Sequence, residues 1–320
     1  MLHNVPTLPL DPAIVDIDRQ WKAAGIPDLY EGGNGPVSRE RAHNVRAFLY
    51  PKPKLPQGSI ASRTIPGPGG DIDVRIIRPL DGAVTGTLVY FHGGGWTVGD
   101  IETHDVVCRS LCNASGTSVL SVDYRLGPEA PFPAAYEDAV ASFEWAVAQA
   151  DKLHIDAARI AVGGDSAGGN IAAALCLGLR GQAAHPGFQL LIYPAVTMRP
   201  NTPSYHANGQ GYMLTQDAMR WYTANYISQD HHADDWRASP LMATSHADLP
   251  AALVLTAGFD PLRDEGLLYA DALSQAGVAT QYVCFERQIH GFVTMGRVIR
   301  EAETALTLCG HALKRHWAGV

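Results

Sequence analysis

Gly163-Gly164-Asp165-Ser166-Ala167-Gly168-Gly169-Asn170 is the stretch on which the reading of this chain turns. Before it, Arg159-Ile160-Ala161-Val162 is a short apolar run of strand character. After it, Ile171 to Arg180 is rich in Ala and Leu and reads as a helix. Ser166 therefore sits where a buried strand turns sharply into a helix. Such a turn strains the serine backbone and projects its hydroxyl from the chain. Gly164 and Gly168 flank it because a Cβ at either place is expected to collide with the neighbouring strand or helix. The free N–H groups at the start of the helix favour negative charge beside the serine. In a chain with 32 glycines a bare G-x-S-x-G is a weak signal, and a Gly-rich turn that binds a phosphate or nothing is its alternative. The strand before and the helix after favour a serine nucleophile, which requires partners elsewhere.

Composition narrows the classes. Over 320 residues, 46% are hydrophobic and 18% charged, enough to bury a sizeable core in one large domain or two small ones. The net charge is −8 and no basic block occurs, which argues against a nucleic-acid partner. Cys108, Cys112, Cys176, Cys284 and Cys309 show neither C-x-x-C nor metal spacing. Cys108 and Cys112 share one face of an expected helix and read as small buried side chains. No signal-peptide pattern opens the chain and no apolar run approaches 18 residues, so no membrane association is expected. A cytoplasmic protein with reduced thiols is the expectation.

In chain order, Met1 to Pro9 reads as a loose end, and Asp11-Pro12 as the cap and first position of a helix that ends at Gly25. A second helix is expected over Arg39 to Leu49. Pro51 to Gly70 is a Pro/Gly-rich boundary with a strand near Ser59 to Ile65, and Gly69-Gly70-Asp71 predicts a hairpin into Ile72 to Arg78. The first fifty residues read either as an amphipathic strap without function or as a cover over an active site. Strands follow at Thr87–Phe91, Ser118–Val122, Phe188–Ile192, Ala252–Ala257 and Thr280–Phe285. Helices are expected at Ala134–Ala148, Leu262–Ala276 and Val298–Trp317. From Pro194 to Asp248 the alternation lapses, and a helix with Trp221, Tyr222 and Tyr226 stands between loops. Strand–helix alternation predicts a mostly parallel sheet with helices on both faces, and function at the carboxyl ends of its strands.

Three of those ends carry chemistry. The strand Thr87–Phe91 runs into His92-Gly93-Gly94-Gly95-Trp96, where three glycines leave consecutive backbone N–H groups open to an oxyanion. The strand Ala252–Ala257 ends in Gly258-Phe259-Asp260-Pro261, and Thr280–Phe285 leads to His290-Gly291-Phe292. A serine hydroxyl needs a base, and the base an orienting acid. The order Ser166, Asp260, His290 supplies both. Asp264 and Glu265 fall inside the next helix and Glu286 comes too early to face the same loop. His92 reads as structural, and Glu129 either as a supporting acid or as a surface carboxylate.

Several motifs together resemble one family. They are His92-Gly93-Gly94-Gly95-Trp96, Tyr124-Arg125-Leu126-Gly127-Pro128-Glu129, Gly164-Asp165-Ser166-Ala167-Gly168-Gly169-Asn170, Ser239-Pro240-Leu241, Asp260-Pro261-Leu262-Arg263-Asp264-Glu265 and His290-Gly291-Phe292. From about Ser59 onward the chain is similar to the bacterial hormone-sensitive lipase family of esterases, the GDSAG type. The resemblance implies an α/β-hydrolase fold and carboxylic ester hydrolysis through an acyl-enzyme. It implies core parts over residues 51–193 and 249–320, with a helical cap made from residues 1–50 and the insertion 194–248. It further implies that Gly94, Gly95 and Ala167 supply the oxyanion N–H groups. Trp96, Met213, Leu214 and Phe292 are the expected lining of the substrate pocket, with Trp21, Tyr212 and Trp221 as further cap candidates. The partner is a small-molecule ester of short to medium chain length, and no metal or cofactor enters the chemistry. Monomer or homodimer stays open. A long-chain lipase, an amidase and a non-catalytic receptor are the alternatives.

Overall fold

An antiparallel hairpin and the strand–helix alternation from Thr87 onward together build one eight-stranded sheet. The computed structural model describes residues 8–25, 27–30, 33, 35–49, 54–80, 82 and 84–319. The loose end expected before Pro9 lies outside these residues up to position 7. Helix α1 (Pro12–Ala23) starts as expected: the Asp11 carboxylate accepts the Ala13 N–H at 2.9 Å, and Pro12 takes the first position. Helix α2 (Gly35–Leu49) follows, then the hairpin β1 (Ser59–Gly67) and β2 (Gly70–Arg78). The core continues with β3 (Thr87–Phe91), α3 (Asp105–Ser115), β4 (Ser118–Asp123), α4 (Ala134–Ala148), the single turn α5 (Ala150–Leu153), β5 (Ile160–Asp165), α6 (Ala167–Gly178) and β6 (Phe188–Ile192). The insertion after β6 holds α7 (Pro203–Ala207), α8 (Gln216–Tyr226) and two short 3-10 turns. Then β7 (Ala251–Phe259), α9 (Arg263–Gln275), β8 (Thr280–Ile289) and α10 (Arg300–Ala318) complete the chain.

The strand order is β1-β2-β4-β3-β5-β6-β7-β8. The β1/β2 and β2/β4 pairs are antiparallel, and every pair from β4/β3 to β7/β8 is parallel. Strand β3 shows why its sequence is apolar throughout. Val89 and Phe91 pack into a core with Phe143 of α4, Ile171 of α6 and Tyr269 of α9. Leu88 and Tyr90 face the other way, into a core with Leu111 of α3 and Leu306 and Cys309 of α10. Both faces are covered, so alternation gives way to a continuous apolar run. Ile14 and Ile17 of α1 and Val45 and Leu49 of α2 join the second core, so the N-terminal helices pack on the α3/α10 side.

Several strands run further than their sequences suggest, β5 and β8 among them. β5 continues through Gly163-Gly164-Asp165, and β8 through Glu286 to Ile289. In β8 the added residues are mostly polar, but pairing with β7 holds them, across a register irregularity between Ala257 and Phe259. Main-chain hydrogen bonding, which side-chain polarity does not report, sets these ends. Among the described residues no helix is long and apolar enough to cross a membrane.

Candidate active site

The turn after β5 has the strain its sequence predicts. Ser166 adopts φ 56° and ψ −118°, a region that costs a non-glycine residue about 1–3 kcal/mol. The surroundings over-determine it: its N–H donates to Ile192 O at 2.9 Å, and its carbonyl accepts from Asn170 N at 3.1 Å and Ala195 N at 3.3 Å. A Cβ at Gly168 would run into the Phe91 carbonyl, so α6 reaches β3 this closely only with glycine there.

Parallel pairing delivers the partners. Phe259 of β7 pairs with Ile289 of β8, so the next residues, Asp260 and His290, leave the sheet side by side. Ser166 Oγ–H donates to His290 Nε2 at 2.8 Å, and His290 Nδ1–H donates to Asp260 Oδ2 at 2.7 Å. The other carboxylate oxygen of Asp260 accepts the Leu262 N–H at 2.8 Å. Asp260 is wholly buried and the His290 side chain 11% exposed, so solvent reaches only the working end of the pair. Of the rival acids, Asp264 accepts from Ser204 N and Arg263, and Glu265 accepts from Val196 N at 2.8 Å. Burial pushes the Glu265 carboxyl up to about 8. Glu286 is exposed.

The glycine loop is pinned from behind the serine. Asp165, next to Ser166, accepts from Gly93 N at 2.9 Å and Tyr90 OH at 2.7 Å, with His104 Nε2 at 3.4 Å. Burial alone would raise this carboxyl, but His104 and the hydrogen bonds outweigh it and hold it well below the usual carboxylate range. Gly94 takes φ 129°, and its carbonyl accepts from Thr97 N and Val98 N. Among the described residues, the N–H groups of Gly94, Gly95 and Ala167 meet no acceptor in the protein. His92 anchors the loop as expected: it stacks on Tyr124 at 4.3 Å, and Nδ1 lies 2.9 Å from Gly93 O. Burial and the neighbouring His104 push its imidazole down to about 4.

A cavity of about 350 Å³ opens over Ser166 and His290. Gly94, Gly95, Trp96, Met213 and Leu214 line it, as does Trp21 of α1. Phe292 does not. It is fully buried against Tyr193 and Phe285, because the left-handed turn at Gly291 and the following 3-10 turn direct its ring back into the core. Of the other cap candidates, Tyr212 packs on Phe259 instead of facing the cavity, and Tyr222 takes the place expected for Trp221. Glu129 resolves as a half-exposed carboxylate paired with Arg39 of α2, which also donates to Thr97 O at 3.0 Å and Gly127 O at 3.3 Å. Three residues carry no sequence signal for the site. Tyr193 packs 4.6 Å from the His290 ring, Arg46 of the distant α2 lines the cavity, and Arg39 of α2 reaches the glycine loop at Thr97 O. Asp165 had one, its place inside the glycine-rich motif. Among the described residues no group of three or more His, Cys, Asp or Glu is arranged to hold a metal ion.

Comparisons with known proteins bear on the family and the fold. The family model for the alpha/beta hydrolase fold, Abhydrolase_3, matches residues 88–294. The carboxylic ester hydrolase LipN of Mycobacterium tuberculosis is 44% identical over 268 residues, covering 81% of this chain and 71% of its own. The ethyl acetate hydrolase of Pseudomonas putida is 39% identical, covering 78% of this chain and 80% of its own. The structure of a hyperthermophilic esterase from the archaeon Pyrobaculum calidifontis superposes with a TM-score of 0.90 at 40% identity, over 96% of this chain and 98% of that one. On the family match and these identities, the chain belongs to the Abhydrolase_3 family of the alpha/beta hydrolase fold, the hormone-sensitive-lipase-like esterases.

Proposed function

We propose that this protein is a serine carboxylesterase with Ser166 as nucleophile, His290 as general base and Asp260 as the acid that orients it. The observation that carries the reading is the unbroken hydrogen-bonded line from Ser166 through His290 to Asp260 at the floor of a cavity. His290 takes the Ser166 proton as Oγ attacks the ester carbonyl, and Asp260 stabilises the imidazolium that forms. The oxyanion rests on the N–H groups of Gly94, Gly95 and Ala167, each worth about 3 kcal/mol of transition-state stabilisation. His290 then protonates the leaving alkoxide, and water repeats the sequence on the acyl-enzyme.

Helices α1 and α2 and the insertion between β6 and β7 act as the cap, since Trp21, Val45, Met213, Leu214 and Tyr222 all face the cavity. A volume of about 350 Å³ with Met213 and Leu214 at its wall suits acyl chains of short to medium length. The five cysteines are free thiols, which fits a reducing, cytoplasmic setting.

A series of p-nitrophenyl esters from acetate to palmitate, beside one anilide, tests the reading. Each buried CH₂ gains about 0.8 kcal/mol until the pocket is full, so kcat/KM rises and then falls, with its maximum at about four to eight acyl carbons. Ser166→Ala lowers kcat by several orders of magnitude at an unchanged melting temperature. Near-normal turnover by that variant overturns the nucleophile. A palmitate optimum overturns the chain length, and preference for the anilide overturns the ester chemistry.

A further inference from the structure

Besides Asp165, which is engaged behind the serine, four charged side chains line the cavity: Asp18, Lys22, Asp28 and Arg46. Lys22 and Asp18 pair with each other at 2.7 Å on α1 and are largely exposed. Asp28 is also exposed, so water solvates its charge. Arg46 differs from all three. It is half-buried on the cavity side of α2, and its Nη1 donates to the Thr294 hydroxyl. Among the described residues no carboxylate lies within ion-pairing distance of it; the buried Asp165 feels its charge only from further off, and is already matched by Gly93 N, Tyr90 and His104.

That guanidinium lines the same cavity as Ser166 and His290 and is held at Thr294. Thr294 in turn donates to Gly291 O at 2.8 Å, one residue beyond His290, so Arg46 is seated beside the loop of the candidate base. Burial opposes the ionised forms of Tyr193 and Tyr222, and the Arg46 charge acts against it in both. A guanidinium has five N–H donors in a planar fork, and one hydroxyl leaves most of them unmatched. Withdrawing such a charge from water into a largely apolar site is costly unless an anion meets it. A carboxylate matches the fork in bidentate geometry. The net charge of −8 disfavours anions at long range, but that field is screened beyond about 10 Å, and at contact the local cation decides.

We propose that the substrates of this esterase carry a second, ionised carboxylate, which Arg46 receives while Ser166 attacks the ester carbonyl. The inference rests on the esterase reading and adds the class of ester to it. The carboxylate has two possible sources, the acid side of the ester, as in a half-ester of a dicarboxylic acid, or the alcohol side, as in an ester of a hydroxy acid.

Two matched pairs of substrates separate these sources. Monoethyl glutarate is compared with its terminal primary amide, and acetoxyacetate with acetoxyacetamide. The wild-type enzyme favours the carboxylate member of at least one pair by about tenfold in kcat/KM. Arg46→Gln brings that ratio to about one, and Arg46→Lys retains part of it. A merely structural Arg46 lowers both members together and leaves the ratio intact, which overturns the proposal. So does a wild-type ratio of one or less in both pairs while ethyl butyrate is hydrolysed. Hydrolysis of none of these esters overturns the esterase reading, and this proposal with it. Equilibrium binding of the two members of the favoured pair to Ser166→Ala protein gives the same comparison without turnover. Equal affinities there count against Arg46.

Discussion

The two walls of the cavity are held by different means. On the sheet side, position comes from the backbone: paired strand ends deliver Asp260 and His290, the strained turn presents Ser166, and the β3 carbonyl packs against Gly168. Across from it, α1, α2 and α8 rest on the core through side chains, with only isolated main-chain bonds (Asp11 N to Arg287 O, Arg297 N to Leu49 O, Phe132 N to Tyr226 O) in place of a continuous strand ladder. Arg39 reaches the Thr97 and Gly127 carbonyls, and Arg46 reaches Thr294. Backbone contacts admit no gradual change, because a misplaced methyl meets a carbonyl. Side-chain contacts can be exchanged one at a time. On the proposed function, the chemistry is built on the rigid wall and selectivity on the adjustable one.

Breaking the rigid wall has the largest expected effect. Gly168→Ala drives a Cβ into the Phe91 carbonyl and costs about 3 kcal/mol or more, with loss of active protein. Thermal unfolding checks it. A variant that melts within a few degrees of the parent and stays active would mean that β3 and α6 separate easily, and the contrast between the walls would fail.

The junction between the walls answers to pH. Glu265 of α9 accepts the Val196 N–H where the chain leaves β6 for the insertion. Its carboxyl is raised from 4.5 to about 8 by burial, so the folded protein keeps a proton that the unfolded chain releases. The stability this contributes is full below about pH 4.5 and is lost as pH rises toward 8. The slope is at most about 1.4 kcal/mol per pH unit. Glu265→Gln has no proton to release, so its urea midpoint falls less between pH 5 and 8 than that of the wild type. Parallel curves for the two proteins would remove Glu265 as the titrating group.

The adjustable wall responds least. Arg39→Ala removes the tie from α2 to the glycine loop, and its pair with half-exposed Glu129 adds little. Activity on a neutral ester should fall by less than about tenfold, with the melting temperature lower by a few degrees at most. A loss of several orders of magnitude would make Arg39 part of the rigid wall.

Much of this arrangement was legible in the chain. β3, β6 and α4 lie where the apolar patterns predict them, because each element is buried on a repeat its side chains report. The β8 end was not legible: Glu286, Arg287 and Gln288 read as loop, yet pairing with β7 carries the strand to Ile289. Phe292 is expected in the pocket lining, but chain direction after Gly291 places it in the core.

The sequence by itself determined the strand–turn–helix around Ser166, the glycine loop after β3 and the order of serine, acid and histidine. Each of these depends on local backbone requirements that residue types reveal. Only the tertiary structure decided that Asp260 and His290 stand side by side, that Asp165 pins Gly93, and that Arg46 faces Thr294 from the far end of the chain. Those contacts depend on strand register and on helices packed across long sequence separations, and no local pattern encodes where such surfaces meet.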